Sequence, residues 1–181
     1  MEFYDDYLRR MADGLLSADT QMLESAVKIL LEVSGKGKKV IIAGNGGSAA
    51  MASHTAVDLT KNARVRAISF NDADLITCFA NDFGYEKWVE KSLDYYADRG
   101  DCVILISSSG SSPNIVNAAK GAKEMGLTLI TFSGFSPDNE LRSCGELNFY
   151  IASEEYNIVE MSHHIWLLAL VDRIIDLNSS S

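Results

Sequence analysis

Five short segments are rich in β-branched or aromatic residues: KVIIAG (39–44), VRAISF (65–70), CVILIS (102–107), LTLITFS (127–133) and LNFYIA (147–152). Their apolar runs of four to six residues lack the polar alternation of a half-exposed strand. A strand apolar on both sides has to be covered on both, which predicts a parallel sheet between two helical layers. The intervening stretches carry apolar residues at helical spacing. They predict helices over 48–60, 72–81, 85–98, 113–126 and 158–176, with NDFG as the turn between the second and third. Residues 3–35 predict two more helices, broken near Ser17–Thr20, with Asp19 or Thr20 capping the second and Gly35 and Gly37 ending it. Strands alternating with helices define a doubly wound α/β domain preceded by a helical pair. With only two prolines and no repeat or linker, the chain reads as one domain, 1–36 forming the helical pair and 37–178 the α/β core.

The length of 181 residues is enough for a real core. A net charge of −9 argues against non-specific binding to nucleic acid or to acidic membrane surfaces. No apolar stretch reaches the roughly 18 residues of a membrane span, and MEFYDDYLRR lacks a signal-peptide core. Cys78, Cys102 and Cys144 are scattered without CxxC spacing, as expected of reduced thiols in a cytoplasmic protein.

In this kind of sheet, ligands sit beyond the carboxyl ends of the strands, where a loop enters a helix. Two loops qualify. SSSGSS follows the third strand and contains no lysine or arginine. A helix N-terminus offers unpaired N–H groups and about half a positive charge, so it can hold an anion without a cation. Ser107, Ser108, Ser109, Ser111 and Ser112 add rotatable donors, Gly110 allows close approach, and Pro113 suits the first helical turn. A plain strand-to-helix turn needs one capping serine; five exceed that, and the loop reads as a phosphate site. GNGGS, after the first strand, is more ambiguous. Gly44, Gly46 and Ala49 match a dinucleotide fingerprint, with Asp72 as its candidate acidic partner. That reading, an oxidoreductase, leaves the serine loop without a task. Neither loop carries the GK[ST] of a P-loop.

His54 and Asp58 are four residues apart and share a helical face. Glu160, His163 and His164 lie on the last helix, and the chain has only three histidines. A His/Asp pair at this spacing suits a divalent metal or acid–base chemistry, and it also suits a solvated helix face.

Taken together and in order, GNGGSAAMASHTAVDLT, FANDFGYEKW, LISSSGSSPNI and VEMSH resemble the SIS (sugar isomerase) domain family, in particular its phosphoheptose isomerase branch. The resemblance covers about residues 5 to 176. It implies a five-stranded parallel sheet, a homotetramer with sites at subunit interfaces, and aldose–ketose isomerisation of a phosphorylated sugar such as sedoheptulose 7-phosphate. It implies substrate contacts from Asn45, Gly46, Gly47, Ser48, Asn81 and Asp82, and phosphate contacts from Ser107, Ser108, Ser109 and Ser112. His54 and Asp58 match metal-ligand positions, for which Zn2+ is the candidate ion, and Asp58 also matches the catalytic carboxylate. Glu160 matches a residue that touches substrate and sometimes metal. No nucleotide cofactor is implied. The chain departs from the branch at two places: Asp58 stands where the isomerases carry glutamate, and Leu168 where they carry a catalytic histidine. His164, one turn before Leu168 on the same face, is the candidate substitute. A non-catalytic relative, the DnaA-binding initiator-associating protein, shares the architecture, so a phosphosugar-binding or scaffold protein is the alternative reading.

Overall fold

A computed structural model describes residues 1–179. The helical pair is α1 (Glu2–Leu16) and α2 (Thr20–Gly35), followed by β1 (Val40–Gly44), α3 (Gly47–Lys61), β2 (Ala67–Ser69), α4 (Ala73–Phe83) and α5 (Trp88–Tyr96). Then come β3 (Cys102–Ser107), α6 (Pro113–Glu124), β4 (Thr128–Ser133), β5 (Leu147–Tyr150) and α7 (Tyr156–Ser179). The break between α1 and α2 is capped by Asp19, whose carboxylate accepts from the N–H groups of Gln21 (2.9 Å) and Met22 (3.2 Å).

All strand pairs are parallel, in the order β2-β1-β3-β4-β5. The apolar runs behave as their composition requires. Val40 and Ile42 pack with Cys102, Ile104 and Ile106 against α2, α3 and α7. Their neighbours Ile41 and Ala43 pack with Val103 and Leu105 against α5 and α6. Successive side chains of a strand point to opposite faces, so one run serves both cores.

Several boundaries depart from expectation, among them α5, which spans Trp88–Tyr96 rather than 85–98. The second strand covers three residues rather than 65–70, because Arg64 turns at φ 61° and Val65 N–H bonds back to Leu59 O (2.9 Å), closing the turn after α3. The fourth helix continues through Asn81, Asp82 and Phe83 before ending at Gly84, so most of NDFG is helical. The last helix begins at Tyr156, two residues early, which becomes important for the site.

His163 sits between Phe132 and Trp166, fully buried, its ring Nε2 bonded to the Ser133 carbonyl at 3.1 Å. Burial pushes its pKa down to about 4. An unfolded histidine titrates near 6.5, so between about 6.5 and 4 the unfolded chain takes up a proton that the folded chain refuses. Stability is therefore expected to fall as pH drops through that window, by roughly 3 kcal/mol. Urea midpoints from pH 7.5 to 4.5 measure this; a His163→Gln variant with the same slope as the parent would refute it.

Candidate functional site

The sheet order places β2 on one side of β1 and β3 on the other, so the chain reverses its winding between β1 and β3. That is where an open α/β sheet leaves a crevice at its carboxyl end. Gly44 pairs with Ile106, so GNGGS and SSSGSS leave neighbouring strands at the same level. Between them lies a cavity of about 270 Å3, lined by Asn45, Gly46, Gly47, Ser48, Ile106, Ser107, Ser108, Ser109, Ser112, Tyr156 and Glu160. Nine of the residues named from the sequence meet here. Tyr156 and Ile106 were not foreseen. A larger hollow of about 640 Å3 lies between α2 and α7, but its lining comes from those two helices alone, away from the carboxyl ends of the strands.

Both helices that open onto the cavity start without a side-chain cap. Gly46 heads α3, and Ser112 heads α6 but makes no side-chain cap bond. Its hydroxyl instead lies 3.0 Å from that of Ser107. The Ser108 hydroxyl is buried and has no hydrogen-bond partner. Unpaired amides and an idle buried hydroxyl around a space without lysine or arginine make a receptor for an anion of many oxygens.

The walls are held firmly. The amides of Asn45 and Asn114 bond each other reciprocally (2.9 and 2.8 Å), and Tyr85 donates its hydroxyl to Asn45 Oδ1 at 3.2 Å. Glu160, on α7, rests its carboxyl over Gly47, where a Cβ would overlap it, so a side chain at position 47 would push the carboxyl aside. Burial raises the Glu160 pKa, and the nearby Ser108 hydroxyl, too loosely placed to count as bonded, opposes this in part.

Further along the α3–α7 seam, His54 Nδ1 and His164 Nε2 lie 3.0 Å apart, and His54 Nε2 lies 3.2 Å from Asp58 Oδ2. The His164 pKa is lowered, by burial first and by the electrostatic influence of the nearby His54 second. Leu168 follows one turn on, half-buried.

The residues expected to share a cation do not converge. Glu160 is drawn to the first turn of α3, whereas both nitrogens of His54, two turns on, are engaged by His164 and Asp58. Among the described residues no group of three or more His, Cys, Asp or Glu is placed to hold a metal ion. The side chains as arranged do not fit a Zn2+ held by His54, Asp58 and Glu160. Asn81 and Asp82 do not line the cavity either; they sit exposed in the last turn of α4, bonded to each other at 2.9 Å. Asp72, which a dinucleotide would need, heads α4 beyond the edge strand and does not line the cavity.

A five-stranded doubly wound sheet whose two small-residue loops share one cavity defines a class, and the chain belongs to the SIS domain family, whose model matches residues 3–134. Within that class it is similar to phosphoheptose isomerases. It is 34% identical to the phosphoheptose isomerase of Fusobacterium nucleatum over 156 residues, covering 83% of this chain and 80% of the relative. The fold matches the phosphoheptose isomerase of Neisseria gonorrhoeae with a TM-score of 0.86 at 23% identity, over 96% of this chain and 98% of the other. The one from Francisella tularensis matches with a TM-score of 0.88 at 22% identity, over 97% of both chains. No helix among the described residues is long and apolar enough to cross a membrane.

Proposed function

We propose that the chain is an aldose–ketose isomerase acting on a phosphorylated sugar, by analogy with its relatives the conversion of sedoheptulose 7-phosphate to a heptose 7-phosphate. The observation that carries this is the buried, unpartnered Ser108 hydroxyl between two uncapped helix N-termini. Amides and hydroxyls there would bind the phosphate, while Asn45 and Glu160 would meet sugar hydroxyls. Isomerisation moves a proton between adjacent carbons through an enediol and needs a base near the carbon. The group His54, Asp58 and His164 lies one turn of α7 from Glu160 and is the candidate for that work. Incubating the protein with sedoheptulose 7-phosphate and following aldose product by NMR tests the reading; no turnover with or without Zn2+ rejects it.

Leu168 favours a second reading, a SIS protein that binds a phosphosugar without converting it. Saturable binding without turnover would select it. A cytoplasmic location fits the three free thiols among the described residues. Association into a homotetramer fits the exposed Val57, Met161 and Ile165 that flank the histidine pair, and the exposed Phe3, Tyr4 and Leu8 of α1. Light scattering during gel filtration reads the oligomeric state directly.

Ser108→Ala separates binding from stability. It removes an unsatisfied buried hydroxyl, so the free protein should be unchanged or slightly more stable. It also removes a donor to a charged ligand, a loss of about 1.5 kcal/mol or roughly tenfold in affinity. Calorimetric titration with sedoheptulose 7-phosphate, beside a urea melt, measures both. Equal affinity in variant and parent would place the phosphate elsewhere.

A further inference from the structure

We propose that Asp58, His54 and His164 form a proton relay in which His164 is the base that acts on substrate and His54 and Asp58 are positioning residues. The proposal rests on the isomerase reading for its chemistry and on the α3–α7 seam for its geometry.

For neutral imidazoles beside an ionised carboxylate, the contacts along the chain assign each proton. An ionised carboxylate only accepts. Asp58 Oδ2 lies 3.2 Å from His54 Nε2, so that nitrogen carries the hydrogen. A neutral His54 then has a bare Nδ1, which can only accept. The 3.0 Å contact with His164 Nε2 therefore runs from His164 to His54. The proton of His164 is on Nε2, and its Nδ1 keeps a lone pair, with no hydrogen bond to it among the described residues. The rings meet edge to face, 82° apart. This orientation extends to the carboxylate itself: Asn62 Nδ2 donates to Asp58 Oδ1 at 3.1 Å, so both oxygens of Asp58 are committed. A carboxylate tied at both oxygens is an anchor rather than a base. The shorter side chain of aspartate, which draws the carboxylate back toward α3, suits that task.

Position favours His164 for the chemistry. Glu160 and His164 are one turn apart and both meet α3, Glu160 at Gly47 and His164 at His54. Glu160 lines the cavity and His164 does not; it stands about 6 Å further along the same seam, where it would meet the part of the sugar that extends beyond the cavity. In the reaction, Nδ1 of His164 takes the proton from the carbon beside the carbonyl. The C–H pair becomes the carbon–carbon double bond of an enediolate, and the carbonyl π pair moves onto oxygen. The positive charge left on His164, which burial disfavours, is partly offset by the hydrogen bonds that lead through His54 to Asp58. The hydroxyl proton then passes from the neighbouring oxygen to the one that took up the charge, the alkoxide so formed closes to the new carbonyl, and the double-bond pair takes the same proton back from His164 at the adjacent carbon, which completes the exchange.

The test uses 15N-labelled histidine in the full chain, at about pH 8, above the ordinary imidazole range. With three histidines in the chain, assignment is simple. His163, whose Nε2 faces the Ser133 carbonyl, is a fixed internal reference. The wild type should show His164 protonated at Nε2 and bare at Nδ1. In Asp58→Asn the amide can donate to His54 Nε2, which moves the His54 proton to Nδ1 and forces the His164 proton onto its own Nδ1. The tautomer of His164 should therefore invert two hydrogen bonds away from the substitution, with His163 unchanged. The kcat for sedoheptulose 7-phosphate should fall by about 10^2 to 10^4 with KM nearly constant. His54→Phe should lose a similar factor, and His54→Phe combined with His164→Ala no more than His164→Ala alone. A wild-type His164 protonated at Nδ1 overturns the relay. So does an inverted tautomer in Asp58→Asn with kcat unchanged. The tautomers are read without substrate, so a wild type that shows the relay and turns nothing over rejects the isomerase reading separately.

Discussion

Gly110→Ala is expected to lower folding stability by about 3–5 kcal/mol and affinity for a sugar phosphate on the order of 100-fold. Gly110 holds φ +66° in the middle of the serine loop, and its N–H closes the turn onto Ser107 O at 2.9 Å. A side chain in that left-handed region costs about 1–2 kcal/mol by itself. The new methyl would also occupy the place of the Asn139 side chain. Asn139 is buried and cannot simply swing aside. Its amide donates to Gly134 O (3.1 Å) and Ser136 O (2.7 Å), and its oxygen accepts from Arg142 N–H at 3.0 Å. Displacing it strands buried polar groups at about 1–3 kcal/mol each. Moving the loop instead shifts the amides and hydroxyls that face the cavity, and a displacement near 1 Å is enough to lose about two orders of magnitude. Urea denaturation and calorimetric titration read the two effects. A double variant with Asn139→Ala isolates the collision: it should be less unstable than the sum of the two single changes. A Gly110→Ala protein within about 1 kcal/mol of the parent would show that the loop is not held by this contact.

How much of this could be read beforehand follows from how local the cause is. The apolar runs were legible because each residue reports its own burial on one of two faces, and parallel order followed. The edge strand β2 was overread: Val65 and Phe70 are apolar because they are buried at the ends of the segment, not because they pair in the sheet. The serine loop was legible from composition alone, since five small hydroxylated residues have little structural use in one turn. Tyr156 has little sequence signal, because its ring is exposed and it precedes the helix expected over 158–176; the useful signal is that a helix leaving the carboxyl end of β5 must point its first residue at the crevice. Tyr85, which steadies Asn45, carried no signal in a stretch with several aromatics. His54, Asp58 and His164 could each be named, but not their order. They lie 110 positions apart at the extremes, and what joins them is the packing of α7 against α3.

The opposite end of the sheet should answer to a different kind of substitution. Asp101→Ala is expected to cost about 3–5 kcal/mol of stability while leaving sugar-phosphate affinity of the folded fraction unchanged. Asp101 is buried, and its carboxylate accepts from the Lys39 ammonium (2.6 Å), Lys39 N–H (3.0 Å) and Asp98 N–H (2.8 Å). It thus ties the entries to β1 and β3 together at the amino ends of the central strands. Burial works to lower the Lys39 pKa, and the hydrogen bonds to Asp101 and Asp98 outweigh it, leaving it raised. Without Asp101 the half-hidden ammonium keeps only the exposed Asp98, at 2.7 Å, and two backbone N–H groups lose their acceptor. Asp101→Asn, which keeps an acceptor but not the charge, should lose less than the alanine variant. The cavity lies at the carboxyl end of β3, about 17 Å away along the strand, and rigid strands between two cores have no second arrangement through which to transmit the loss. Equilibrium unfolding measures the first effect, and titration of the folded variant well below its melting temperature measures the second. A folded Asp101→Ala protein with weakened sugar-phosphate binding would mean that the two ends of the sheet are coupled, and that the cavity is less preformed than its hydrogen bonds indicate.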